Sequence, residues 1–308
     1  MAWLEITVET TPRQIGAAVA GLTARGFSDL VIEDQGEFET FLEENRAYWD
    51  YIDENLQQQL QGLSRVKLYL EDDDRAGMER LEAAVKELGL PMTVQPLPDT
   101  DWSESWKDSY PPQEVGKNLV VLPCWLAQEP TDRTRVILDP GLTFGTGAHP
   151  STQMVMETME EVVRPGYRCL DLGSGSGILS ITALALGAGS AVGVDIDPKA
   201  EDIARENAAY NGITDAFTAL TGNVTEDKAL MESLSAGSYD LVLVNIVADV
   251  IIGLAPILPD FLGENTTLIC SGILDTRLED VKKTLTEAGL RITQVKAKED
   301  WRCVVAGW

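Results

Sequence analysis

The chain has 308 residues, 44% of them hydrophobic and 24% charged, which suits a sizeable core spread over two domains and excludes a collagenous or wholly disordered chain. Fifty acidic residues against 24 basic ones give a formal net charge of −26, the opposite of the positive surface on which nucleic-acid binders depend. No run reaches the roughly 18 to 20 apolar residues of a membrane span, and Met1-Ala2-Trp3-Leu4-Glu5 has neither the basic start nor the apolar stretch of a secretory signal, so a cytoplasmic protein free of membrane and nucleic acid is expected.

The acidity serves solubility at the least, and it also steers basic partners toward the protein. Cys124, Cys169, Cys270 and Cys303 are far apart and form no C-x-x-C pair. They read as reduced thiols rather than a disulfide framework or a metal site.

Trp3 to Val8 alternates as a strand, and Pro12 opens a helix with Ile15, Ala18, Val19 and Leu22 on one face, stopped by Gly26. Leu30 to Ile32 and Val66 to Leu70 are the next two strands. A helix carrying Met78, Leu81, Val85 and Leu88 follows, capped by Gly89, and Met92 to Val94 starts a fourth strand. This β-α-β-β-α-β order predicts a ferredoxin-like α+β domain over residues 1–97. An acidic insertion, 36–64, interrupts it and carries Phe38, Phe41, Tyr48, Trp49 and Tyr51, which are expected to pack the insertion onto the domain. Pro96, Pro98, Pro111 and Pro112 bracket a Trp- and Asp-rich stretch, so 98–117 reads as a semi-rigid linker.

From Asn118 the texture changes. Leu119 to Leu122 and Arg135 to Leu138 read as strands flanking a turn, followed by a glycine-rich loop and a helix from Pro150 to Val163. Apolar strands then alternate with amphipathic helices. The strands are Cys169 to Leu172, Ala191 to Val194, Leu241 to Val244 and Thr267 to Cys270. That pattern predicts a doubly wound, mainly parallel sheet covered on both faces. The closing strands, Arg291 to Val295 and Cys303 to Ala306, have no helix between them, which predicts a terminal hairpin and an antiparallel edge strand.

The strongest local signal is Leu170-Asp171-Leu172-Gly173-Ser174-Gly175-Ser176-Gly177, where a buried strand turns into a helix. Doubly wound sheets bind ligands at such turns, and glycine lets a ligand approach the backbone. Asp195 ends the next strand, 22 residues after Gly173, the usual place for a carboxylate that grips ribose hydroxyls. A nucleoside-containing cofactor is therefore predicted. The third glycine comes one residue too early for a dinucleotide fingerprint, and no lysine serves a phosphate. Asp171 would oppose a pyrophosphate but suits a cationic amino-acid group; its plainer alternative is a turn cap without ligand contact. Asn245, just beyond the strand 241–244, offers an amide to an incoming amine or, more plainly, stabilises a turn. His149 is the only histidine, and its place between Ala148 and Pro150 at a helix start reads as structural rather than as a general base.

The glycine turn resembles that of class I S-adenosylmethionine-dependent methyltransferases. Asp139-Pro140-Gly141-Leu142-Thr143-Phe144-Gly145-Thr146-Gly147-Ala148-His149-Pro150-Ser151-Thr152, Asp195-Ile196-Asp197-Pro198 and Asn245-Ile246-Val247-Ala248 are more specific, and together they resemble the PrmA family, the methyltransferases of ribosomal protein L-eleven. The likeness extends to Trp106-Lys107 and to Phe41-Leu42-Glu43-Glu44-Asn45, hence over essentially the whole chain; it departs at Ala148, where the family often carries Thr.

The resemblance implies a class I methyltransferase domain over 118–308 and a substrate-recognition domain over 1–97. It implies S-adenosylmethionine as cofactor, held by Thr152, Gly173, Asp195 and Asn245, with Asp171 and Gly175 completing the glycine turn. It implies a basic ribosomal protein as partner, methylated on lysine side chains and the N-terminal amine, with Asn245 beside the reacting amine. A methyltransferase for another protein or a small molecule, or a binding module that has lost catalysis, also fits the fold; the intact Asn245 and glycine turn speak against the latter.

Overall fold

The computed structural model describes residues 3–27, 29–36, 62–97, 107, 110–140 and 147–308. The chain divides into two compact units, Met1–Asp108 and Ser109–Trp308.

The first unit runs β1 (Trp3–Glu9), α1 (Ile15–Thr23), β2 (Val31–Asp34), β3 (Ser64–Glu71), α2 (Arg75–Leu88) and β4 (Met92–Leu97). Its strands form an antiparallel sheet of order β2-β3-β1-β4, the expected split β-α-β arrangement. Alternation puts Ile6, Val8, Val66 and Leu68 on the face covered by Ile15, Ala18 and Leu22 of α1 and by Leu81, Ala84 and Val85 of α2. Asp74 caps α2 by accepting the Gly77 N–H at 2.8 Å, and Gly89 ends it in the left-handed region at φ +66°.

Most of the acidic insertion, residues 37–61 with their aromatics, lies outside the described residues, as do Trp102 and Trp106. Where the insertion leaves and rejoins the sheet, the Ser64 hydroxyl donates to Asp34 at 2.7 Å and the Gly62 N–H to Gln35 Oε1 at 2.7 Å. Its ends are thereby joined, and the pairing of β2 with β3 continues as though it were absent.

The second unit begins with a three-stranded sheet of β5 (Gln113–Val115), β6 (Leu119–Pro123) and β7 (Thr134–Leu138). β5 falls within the stretch read as a linker. β6 and β7 run parallel rather than as a hairpin, because the 3-10 turn Cys124–Leu126 starts a crossover between them.

The remaining elements are α3 (Pro150–Val162), β8 (Arg168–Leu172), α4 (Ile178–Ala185), β9 (Ser190–Asp195), α5 (Pro198–Tyr210), β10 (Phe217–Thr221), α6 (Lys228–Ser235), β11 (Tyr239–Asn245), α7 (Ala248–Leu254), β12 (Leu262–Leu274), α8 (Leu278–Glu287), β13 (Arg291–Lys298) and β14 (Trp301–Gly307). They build a seven-stranded sheet of order β10-β9-β8-β11-β12-β14-β13. The antiparallel strand is β14, and it is not at the edge as the sequence suggested. After β12 the chain crosses through α8 and lays down β13 parallel to the rest, leaving a gap that the hairpin fills with β14.

Two cores flank the sheet, and β11 shows how the sequence divides between them. Leu241 and Leu243 face α3 and α4, whereas Val242 and Val244 face α7 and α8. The same alternation puts Asn245 on the α3 side at the end of β11, Asp171 on that side of β8 and Ser271 on that side of β12. Among the described residues no helix is long and apolar enough to cross a membrane.

Candidate functional site

Strand order reverses between β8 and β11, so the carboxyl ends of β8, β9 and β11 border a crevice of the kind that receives ligands in open α/β sheets. Gly173, Gly175 and Gly177 turn β8 into α4 with φ of +78°, +48° and +77°. The Gly173 and Ser174 N–H groups donate to the Val194 carbonyl at 2.8 and 3.1 Å, which ties the turn to β9. A Cβ on Gly173 would sit 2.4 Å from Ile246 Cγ2, and one on Gly177 would sit 3.0 Å from Ala204 Cβ of α5. The first place has no room for a side chain and the second only a tight one, and the positive φ of both favours glycine as well.

Asp195 ends β9. Its Oδ2 accepts the Gly175 N–H at 2.8 Å and its Oδ1 the Asp197 N–H at 3.0 Å. Each carboxylate oxygen is thus oriented by backbone and keeps lone pairs for a ligand. Asp197 in turn caps α5 through the Lys199 N–H at 2.9 Å. Between the two aspartates Ile196 is 66% exposed, the most exposed large hydrophobic side chain among the described residues. Sequence reasoning missed it, although an aliphatic residue between two Asp just past a strand is a legible signal.

Asp171 is completely buried. Its Oδ2 accepts the Ser180 hydroxyl at 2.8 Å and the Ser180 N–H at 3.2 Å, while its Oδ1 has no hydrogen-bond partner. Burial pushes its carboxyl up to about 7; the Ser180 bonds work against this, and the Asp195 charge adds to it. A buried orphan oxygen beside a glycine cradle fits a ligand that brings its own donor, and a cationic one best.

His149 precedes α3 as its cap: its Nδ1 accepts the Ser151 N–H at 3.3 Å and lies 2.6 Å from the Ser151 hydroxyl, and its ring meets Trp301 edge-on at 4.5 Å. Burial holds the imidazole below its usual range, against the opposing pull of Glu299. Thr152, buried in the first turn of α3, accepts from the Asn245 side-chain amide at 3.1 Å across 93 residues of sequence. The Asn245 Oδ1 takes no bond from the described residues. The fold therefore brings Thr152 and Asn245 into direct contact, with Gly173, Gly175, Asp171 and Asp195 grouped at the neighbouring strand ends.

Residues 141–146, the heart of the long glycine-rich loop, lie outside the described residues. The loop's root is fixed by a residue that sequence reasoning missed. Buried Asn207 accepts the Asp139 N–H at 2.9 Å and donates to the Ser176 carbonyl at 2.8 Å, joining that root to the glycine turn. All four cysteines are free thiols, and among the described residues no cluster of His, Cys, Asp and Glu is arranged to hold a metal ion.

With this geometry in place, similarity to known proteins is specific. A family model described as ribosomal protein L11 methyltransferase (PrmA) matches residues 2–307. The ribosomal protein L11 methyltransferase of Alkaliphilus oremlandii is 34% identical over 318 residues, covering 99% of this chain and 98% of the relative. That of Heliobacterium modesticaldum is 35% identical over 317 residues, covering 99% and 97%. The crystal structure of a ribosomal protein L11 methylase from Lactobacillus delbrueckii subsp. bulgaricus superimposes with a TM-score of 0.57 at 32% identity, covering 64% of this chain and 98% of that one.

Proposed function

Because this chain belongs to the PrmA family of ribosomal protein L11 methyltransferases, we propose that it transfers methyl groups from S-adenosylmethionine to lysine side-chain and N-terminal amines of ribosomal protein L11. The observation that carries this reading is the pairing of a buried, partnerless carboxylate oxygen on Asp171 with a side-chain amide on Asn245, at adjacent strand ends of one sheet. The first suits the cofactor's ammonium group and the second suits the substrate's amine.

S-adenosylmethionine supplies an electrophilic methyl group on a sulfonium centre. Asp195 would accept from its ribose hydroxyls, the exposed Ile196 would offer an apolar surface to its purine, and Gly173 and Gly175 would give its amino-acid part access to the backbone. The substrate amine must be neutral to react. A free lysine has a pKa of about 10.4, so deprotonation at pH 7 costs about 5 kcal/mol, which desolvation and the nearby sulfonium charge reduce. The protein's task is then to orient the amine rather than to provide a strong base. The Asn245 Oδ1 accepts an amine N–H while Thr152 holds the amide in place. The N-terminal domain, residues 1–97, serves as the recognition domain, and the net charge of −26 draws a basic protein toward the enzyme.

Incubation with labelled S-adenosylmethionine and L11, followed by mapping of the label by mass spectrometry, tests the reaction. Methyl groups on lysine Nζ and the N-terminal amine are expected, and label confined to carboxylates, other side chains or RNA would overturn the proposal. The division of roles within the site has its own test in single-turnover methylation at saturating cofactor. Asn245→Ala should be slower by about 100-fold, the cost of a misplacement of roughly 1 Å. His149→Ala should keep most of its rate and an unchanged pH profile, because its ring caps a helix. A folded but inactive His149 variant would make that ring the general base.

A further inference from the structure

We propose that Ser271 is a positioning residue for methyl transfer, acting through Asn245, and the proposal rests on the amine-orienting role of Asn245 given above. Ser271 is fully buried on β12, directly opposite Asn245 in the parallel ladder with β11. Its neighbours Leu268, Ile269, Cys270 and Ile273 are all apolar and buried. A hydroxyl in such a strand is costly unless it is bonded. This one lies between two carbonyls, donating to that of Ser151 at 3.1 Å, with the Arg302 carbonyl of β14 at 3.3 Å.

Ser151 directly precedes Thr152, the residue that holds the Asn245 amide. The Ser271 hydroxyl therefore fixes the first turn of α3 against β12. The Ser271 carbonyl accepts the N–H of Ile246 at 3.2 Å, which fixes the residue after Asn245 against the same point. Both ends of the Asn245–Thr152 hydrogen bond are thus referenced to one buried serine.

The next residue reinforces the arrangement. The β12–β14 pairing shifts register between Cys270 and Ile273, and within that bulge Gly272 has φ +81°. A Cβ on Gly272 would stand 2.4 Å from the Ile246 carbonyl oxygen and 2.9 Å from its carbonyl carbon. The bulge is therefore seated on the backbone of the Asn245–Ile246 turn, with no space between them. The Ile246 side chain in turn occupies the place where a Cβ on Gly173 would stand. Ser271 touches no crevice surface, so its influence on the reaction passes through the amide that does.

A double-mutant cycle on the full-length enzyme tests this, with single-turnover rate on L11 and S-adenosylmethionine dissociation constant measured for each protein. Ser271→Ala should lower the rate by about 10-fold and change the dissociation constant by less than about 2-fold. In an Asn245→Ala background the same substitution should change the rate by less than about 2-fold, because the group it positions is gone. Ser271→Cys, close in volume and a weak donor, should fall between wild type and Ser271→Ala, and it completes the cycle should the alanine variant fail to fold. Rate losses that multiply in the double variant, or a loss of cofactor affinity as large as the loss of rate, would make Ser271 merely structural and overturn the proposal. If Asn245→Ala itself keeps the wild-type rate, the reading of Asn245 fails and this proposal fails with it. A slow Asn245→Ala beside a fast Ser271→Ala refutes the positioning role alone.

Discussion

The cofactor-free protein is expected to lose stability on the order of 4 kcal/mol through Asp171 alone as pH rises from about 4 to about 7. The carboxyl is raised from an ordinary 3.8 to about 7 in the fold, chiefly by burial. Between these values the unfolded chain has released this proton and the folded chain still holds it, so rising pH favours unfolding. The contribution is fully present below 3.8, declines through the window and stays lost above the folded value. Other carboxylates titrate in the same range, so the informative quantity is the difference between wild type and Asp171→Asn in urea unfolding at pH 5 and pH 8. The asparagine cannot ionise, and the variant should gain relative to wild type at the higher pH. Identical pH dependence in the two proteins would mean that Asp171 ionises normally in its buried place.

The same carboxyl links cofactor binding to protons. An ammonium group beside the orphan Oδ1 favours the ionised form, so binding near pH 6.5 should release a proton and tighten as pH rises toward 8. Calorimetry in buffers of different ionisation enthalpy counts that proton. Asp171→Asn should bind more weakly and release none.

How much of this was legible in the sequence depended on whether a residue's role was local. The apolar run Leu241 to Val244 and the glycines after Leu172 are local, and both reported correctly on the sheet and its turn. Phe217–Thr221 was not read as a strand because it lies at the sheet edge and only Ala219 is buried, leaving no periodicity to detect. The place of β14 inside β13 was hidden for another reason. A strand's own residues encode its faces, while its order in the sheet follows from the crossover that precedes it. Thr152 and Asn245 were each identified, but their mutual hydrogen bond spans 93 residues and belongs to no motif. Ser271 and Asn207 were missed because they act on backbone groups of distant segments. Within their own elements they look only like polar residues in apolar company.

Asp195→Ala should weaken S-adenosylmethionine binding by roughly 2 to 4 kcal/mol, the loss expected when hydrogen bonds to a charged group are removed from a ligand site. That corresponds to a dissociation constant raised roughly 30- to 1000-fold. The geometry sharpens the expectation by predicting that Asp195→Asn fails almost as badly. In the wild type each carboxylate oxygen accepts a backbone N–H, from Gly175 at 2.8 Å and from Asp197 at 3.0 Å. An asparagine must turn its NH2 toward one of those donors, so one backbone group loses its partner and either the glycine turn or the start of α5 is released. The acceptor capacity left for ribose hydroxyls falls at the same time. A carboxylate that served only as a negative charge near the ligand would instead show equal losses in the two variants, both shrinking as salt is raised, whereas the loss from a disorganised turn does not depend on salt. Titration calorimetry of both variants at low and moderate ionic strength separates these cases. An asparagine variant that binds within about a factor of two of wild type would show that Asp195 does not organise the turn.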